Sequence, residues 1–212
     1  MKKLGNVYIL GDSLSTFKGY IPETHAACYK PIKQENNDIT DVNETWWKIV
    51  LNNTDSNLIL NDSWSGTTIC HTGYNGKDYS NRSFVTRFDK LIDEKYFDEK
   101  QIDTVLIFGG TNDNWAQSPV GEVKFEDWTN DDLYKVLPAF CYLLSKVKAT
   151  LPNARVINIL NVDFRQPLTE GMIAASEHYG CEYYKFTTYN RNGGHPGIEG
   201  MSQMAEQILN FI

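Results

Sequence analysis

The chain has 212 residues, 41% of them hydrophobic and 22% charged. That is enough for one domain with a sizeable core and no need of disulfide or metal staples. Lys and Arg number 20 against 27 Asp and Glu, a formal net charge of −7, which argues against nucleic acid or an anionic membrane as partner because both need a basic face.

The first predicted element is a strand at Val7-Tyr8-Ile9-Leu10, a short apolar run that stops at Gly11 as a buried parallel strand should. It begins too soon after Met1-Lys2-Lys3 to leave room for the apolar stretch of a secretory signal. A cytoplasmic location is therefore expected, with secretion as the alternative if a leader has been removed. Residues 17–43 show no periodicity. A stretch of that length is far longer than an ordinary strand-to-helix loop, and we read it as an insertion, a lid or pocket wall, within a single domain spanning 1–212. Glu44 to Leu51 suits an amphipathic helix, Leu58-Ile59-Leu60 a second strand, and Phe84, Phe88, Leu91 and Ile92 recur at helical spacing. Thr104 to Phe108 predicts a third strand ending at Gly109-Gly110. Asp131 to Thr150 predicts a long helix that Pro138 should kink or interrupt. Arg155 to Leu160 is a fourth strand, Met172 to Tyr179 a helix closed by Gly180, Glu182 to Phe186 a fifth strand, and Ile198 to Ile212 a final amphipathic helix. No run approaches the roughly 18 apolar residues of a membrane span. Five strands alternating with helices predict an α/β fold, a parallel sheet covered on both faces.

Cys28, Cys70, Cys141 and Cys181 form no C-x-x-C pair and none stands at zinc-ligand spacing from a histidine, so they read as buried or neutral thiols. Nothing matches a P-loop, a dinucleotide fingerprint or H-E-x-x-H, and no cofactor or metal is expected.

Four short motifs each follow a predicted strand or precede the last helix, and loops at the carboxyl ends of parallel strands converge on one crevice. Gly11-Asp12-Ser13-Leu14-Ser15 puts a serine on a tight turn, exposed for attack, with its own N–H available to an oxyanion; the same residues also suit a helix N-cap. Asn61 to Thr67 contains Trp64-Ser65-Gly66, where Gly66 permits close backbone approach and an N–H donor, or simply makes a turn. Gly110-Thr111-Asn112-Asp113 offers the Asn112 amide as a neutral donor, with Asp113 holding a loop through backbone bonds. Asn192-Gly193-Gly194-His195-Pro196 places His195 before the final helix, with Pro196 suited to that helix's first position. His195 is the histidine best placed to take a proton from Ser13. His71 is close enough to the second motif to line the pocket.

Together these blocks resemble the SGNH hydrolase superfamily, the GDSL esterases and lipases, over essentially the whole chain. Gly11-Asp12-Ser13-Leu14 matches the first block, Asn61 to Gly66 the second, Gly110-Thr111-Asn112-Asp113 the third, and His195 stands where the fourth has its histidine. The resemblance implies a three-layer α/β/α, flavodoxin-like fold with Ser13 as nucleophile, His195 as base, and Gly66 and Asn112 as oxyanion donors. One departure stands out. The last block is usually D-x-x-H, and here Asn192 occupies the acid's position. A Ser13–His195 dyad helped by a loop carbonyl, or an acid from elsewhere such as Asp163 or Glu199, is then required.

The expected chemistry is hydrolysis of short-chain O-acyl esters. Aromatic loop residues, Trp64, Tyr74 and Trp115 among them, suit stacking on sugar rings or packing of the loops, and the resemblance implies carbohydrate deacetylation as one outcome. The expected partner is a small-molecule or carbohydrate ester, with Asp12, Ser65, Trp64, Trp115 and Asn192 as further pocket residues. Alternatives are an acyl thioesterase or lysophospholipase, which needs an elongated apolar groove, and a catalytically weak carbohydrate-binding relative. Exposed aromatics suit a dimer surface as well as a pocket, so the oligomeric state is left open.

Overall fold

The computed structural model describes residues 3–212. Five strands pair in parallel in the order β2-β1-β3-β4-β5: β1 Asn6–Gly11, β2 Asn57–Ser63, β3 Thr104–Phe108, β4 Arg155–Leu160 and β5 Glu182–Lys185. The chain first steps from β1 to β2, then returns past β1 to β3 and onward. The winding therefore reverses between β1 and β3, where the following loops diverge and open a crevice at the strands' carboxyl ends.

The three inner strands are apolar at both parities because each face is covered. Val7, Ile9, Leu106, Phe108, Ile157 and Ile159 join one core with α1 (Trp46–Asn53) and α6 (Ile198–Phe211). Tyr8, Leu10, Val105, Ile107, Val156 and Leu160 join the other, with α2 (Phe84–Asp93), α4 (Val136–Thr150) and α5 (Gln166–His178). Helices thus lie on both faces, and the chain has the three-layer α/β/α fold expected from its pattern. Among the described residues no helix is long and apolar enough to cross a membrane.

Several boundaries differ from expectation. The helix expected over 131–150 is two pieces, a 3-10 segment at Asn130–Tyr134 and α4 from Val136, separated by Lys135 in extended conformation. Pro138 falls in the first turn of α4, where its missing N–H removes no helical bond, so it neither kinks nor interrupts the helix. Helix α5 starts at Gln166, six residues before the expected Met172, with Pro167 in its first turn. A five-residue helix, α3 at Thr111–Trp115, follows Gly110, which adopts φ 91° as the N-cap. That run is too short and polar to show helical periodicity. Pro196 lies just outside α6, whose N-cap is Gly197.

Arg87 accounts for a tie that no local pattern reveals. It projects from α2 among Phe84, Val85 and Phe88, is 5% exposed, and packs its guanidinium 4.6 Å from the Phe84 ring centroid. Its planar fork donates to Gly11 O at 3.0 Å and to Asp62 O, and pairs with Asp62 Oδ1 at 3.2 Å. The carboxyl ends of β1 and β2 are thereby clamped together. Gly11 is required at this junction because a Cβ would collide with Ser63 Oγ on β2.

Candidate active site

Strand β1 ends in Gly11, and the chain turns at once into a 3-10 segment, Ser13–Ser15, capped by Asp12 Oδ1, which accepts from Leu14 N–H at 3.1 Å. This cap directs the Ser13 hydroxyl across the crevice to His195, and Ser13 Oγ lies 2.9 Å from His195 Nε2. The two residues are 182 positions apart in the chain.

The second motif is held against the first. Asn61 Nδ2 donates to Ser15 O at 2.8 Å, Ser63 Oγ donates to Asn61 Oδ1, and Trp64 N–H donates to Gly11 O at 3.2 Å. Gly66 adopts φ 78°, a conformation that favours glycine, and a Cβ there would meet nothing within 4 Å, so the backbone angle alone accounts for the residue. The third motif holds the second. Asp113 accepts from Ile69 N–H at 2.8 Å and Cys70 N–H at 3.2 Å, while Asn112 Nδ2 donates to Thr67 O at 2.9 Å.

Three N–H groups in these motifs are uncommitted. Among the described residues, Ser13 N–H and Gly66 N–H donate to no protein acceptor, and Asn112 uses only one of its two amide hydrogens.

The fourth motif is a two-residue hairpin turn. Asn192 N–H donates to His195 O at 2.9 Å and His195 N–H to Asn192 O at 3.3 Å, with Gly193 and Gly194 at φ 60° and 95°. Both glycines have positive φ, as such a turn demands. The imidazole stands edge-on between Tyr29, 6.4 Å away, and Trp115, 6.0 Å away. Residues 17–43 run alongside: Tyr29 Oη and Asn37 Nδ2 each donate to Pro196 O at 3.2 Å, and Asp38 Oδ1 accepts from Ile198 N–H at 2.9 Å. The same segment reaches the second motif, where Ser65 N–H donates to Ala26 O at 2.9 Å. A cleft of about 270 Å³ beside His195 is lined by Cys28, Gln34, Glu35, Asn36, Asn37 and Asn192.

Asn192 is exposed and is joined to His195 through backbone bonds alone. Asp163 pairs with Arg191, and Glu199 accepts from Gln203 Nε2 at 3.3 Å. Neither carboxylate reaches the imidazole, and His195 Nδ1 has no protein partner among the described residues. Burial lowers the His195 pKa below its ordinary 6.5, so the ring is neutral at neutral pH and able to accept a proton. Two other acids shift the opposite way. Burial pushes Asp12 up to about 7 and Asp113 up to about 6, and the Asp113 charge adds to the rise at Asp12. Asp12 is fully buried, so it lies behind the serine turn rather than on the cleft wall.

The remaining candidates scatter. Trp64 stacks on His25 at 4.3 Å, and His25 Nδ1 is 3.2 Å from Ser63 O. His71 is buried, 3.3 Å from Thr86 Oγ1 and edge-on to Tyr134, and it makes no contact with Ser13 or His195. The four cysteines are unpaired. Tyr74, which sequence reasoning treats only as one of several loop aromatics, donates its hydroxyl to Asn112 Oδ1 at 2.8 Å. Its sole sequence cue is the turn-forming Gly73-Tyr74-Asn75-Gly76.

This arrangement sets a serine hydroxyl against a neutral imidazole able to take its proton. A structure named as that of a GDSL-like lipase from Bacteroides ovatus ATCC 8483 is 41% identical, superposes with a TM-score of 0.91, and is covered over 98% of its length by 99% of this chain. A second GDSL-like lipase, from Bacteroides uniformis ATCC 8492, is 40% identical with a TM-score of 0.90, over 98% of this chain and 95% of that one. At 16% identity, an acetyl xylan esterase (Est2A) from Butyrivibrio proteoclasticus shares the fold, with a TM-score of 0.64 over 99% of this chain and 63% of that one. No curated protein sequence matches the chain. The sequence profile described as GDSL-like Lipase/Acylhydrolase matches residues 5–212, and the chain belongs to that family.

Proposed function

We propose that the protein is a serine ester hydrolase acting on short-chain O-acyl esters, acetyl esters of carbohydrates foremost, through a Ser13–His195 dyad. The observation that carries this reading is the 2.9 Å Ser13 Oγ to His195 Nε2 contact; the uncommitted N–H groups of Ser13, Gly66 and Asn112 support it. Ser13 Oγ attacks the ester carbonyl while His195 Nε2 takes its proton. Ser13 N–H, Gly66 N–H and the free Asn112 amide hydrogen receive the oxyanion. The tetrahedral intermediate collapses, His195 protonates the departing alcohol oxygen, and water, deprotonated by His195, then releases the acid and regenerates Ser13.

The cleft beside His195 supports a polar leaving group, because Gln34, Asn36, Asn37 and Asn192 supply amide donors and acceptors suited to sugar hydroxyls and no aliphatic side chain lines it. The acetyl xylan esterase among the fold relatives points the same way. A larger groove of about 800 Å³, lined in part by Ile21, Pro22, Pro31 and Ile32, shares no lining residue with that cleft. Rates measured on a series of acyl esters are expected to be highest for acetyl and to fall beyond short chains. Rates that climb with chain length would instead favour the thioesterase or lysophospholipase reading and make the larger groove the acyl site.

The dyad has a pH signature. The neutral imidazole is the active form, so kcat/KM is expected to rise with pH through a midpoint below 6.5 and then level off. In the Asn192–His195 bridge the two side chains project from the same face of the turn, with Cβ atoms roughly 5 Å apart. Asn192→Asp is therefore expected to stabilise the imidazolium and raise that midpoint by about one unit. An inflection near 7 that disappears in Asp12→Asn would belong to Asp12 instead.

A further inference from the structure

We infer that Tyr74 is a positioning residue for the oxyanion donor, holding and polarising the Asn112 amide; this rests on the reading of Asn112 given above. The orientation of that amide follows from its partners. Thr67 O can only accept, so the Asn112 atom 2.9 Å from it is the nitrogen, and the atom 2.8 Å from Tyr74 Oη is the oxygen. The phenol must then donate. The amide is gripped at both ends, with one hydrogen on Thr67 O and its oxygen under Tyr74, and the second hydrogen alone is left to point at substrate. Donation to the amide oxygen draws electron density from the nitrogen, making the remaining N–H a stronger donor, as in any chain of hydrogen bonds.

The loop bearing Tyr74 is built for this placement. Gly73 N–H donates to Lys77 O at 2.8 Å, and Lys77 N–H donates back to Tyr74 O at 3.2 Å. Asn75 and Gly76 take φ 57° and 69°, closing a tight turn, and a Cβ on Gly73 would collide with the Tyr79 ring. The hydroxyl stays protonated through the working range, since burial, with Asp12 nearby, pushes it up to about 12.

Tyr74→Phe keeps the ring and removes only the donor. With an acetyl ester as substrate it is expected to lower kcat about tenfold while KM stays within twofold, because the bond acts on a donor engaged in the transition state. In an Asn112→Ala background the same substitution is expected to change kcat by less than twofold, since the two residues act as one unit. Unchanged kcat in Tyr74→Phe, or a further tenfold loss in the double variant, would overturn the proposal. A loss of thermal stability with KM rising as kcat falls would assign Tyr74 to packing alone, also against it. Loss of the underlying reading has a different mark, because Asn112→Ala would then retain full kcat.

Discussion

Ser13→Ala is expected to lower kcat on acetyl esters by on the order of 10⁵-fold, leaving only what binding and the N–H donors supply. The substitution deletes one oxygen from a residue that is 3% exposed, and that oxygen's partner is the His195 ring, 2.9 Å away. Neither the Asp12 cap nor the Asn61 bond to Ser15 depends on it. The fold should therefore survive, and a melting temperature within a few degrees of wild type is expected. A fluorophosphonate reagent should label the wild-type protein at Ser13 and leave the variant unmodified. Wild type and variant hydrolysing a panel of short acyl esters at the same slow rate would end the hydrolase reading and leave a carbohydrate-binding module on a hydrolase scaffold.

The second large effect is expected from Asn112→Ala, a loss of about 10²–10³ in kcat, the usual consequence of removing one oxyanion donor. KM should change little, because the bond strengthens only as the carbonyl oxygen gains charge. A modest stability cost will accompany it. Thr67 O and the Tyr74 hydroxyl each lose a partner, and an abandoned buried group costs roughly 1–3 kcal/mol. The two effects separate cleanly: stability is read by thermal melting, and donor loss by turnover at saturating substrate below the melting range. Turnover within twofold of wild type would remove Asn112 from the mechanism whatever the melting curve shows.

Much of the fold was legible in linear order. Val7 to Leu10, Thr104 to Phe108 and Arg155 to Leu160 are apolar at both parities and bounded by turn residues, the signature of strands buried on two faces. Segments whose structure depends on remote partners were not legible. The extended Lys135 that splits 130–150 accompanies bonds from Val136 and Leu137 N–H to Pro119 and Val120 carbonyls, residues outside the predicted helix. Helix α3 is four polar residues and Trp115, with no apolar rhythm to read, capped by a glycine in the left-handed conformation.

The site divides in the same way. Four motifs could be named because glycine, serine, asparagine and histidine stand at turn positions beside predicted strands and the last helix, and because together they resemble the blocks of a known hydrolase family. Tyr74 and Arg87 could not, since a tyrosine in a turn-forming loop and an arginine on a helix carry no sign of their distant partners in the neighbouring sequence. Their roles arise from Asn112 in one case and from Gly11 and Asp62 in the other.

By itself the amino-acid order determined the alternation of strand and helix, the five-stranded α/β class and the residue types available for acyl transfer, because these depend on periodicity and turn chemistry over a few neighbouring positions. Only tertiary structure decided that His195 meets Ser13 without a carboxylate behind it, that Asp12 is sealed beneath the serine turn, and that the Asn112 amide has a single hydrogen left to give. Each of those is a distance or a burial between residues far apart in the chain, set by how the reversed winding at β1 and β3 folds the loops onto one another.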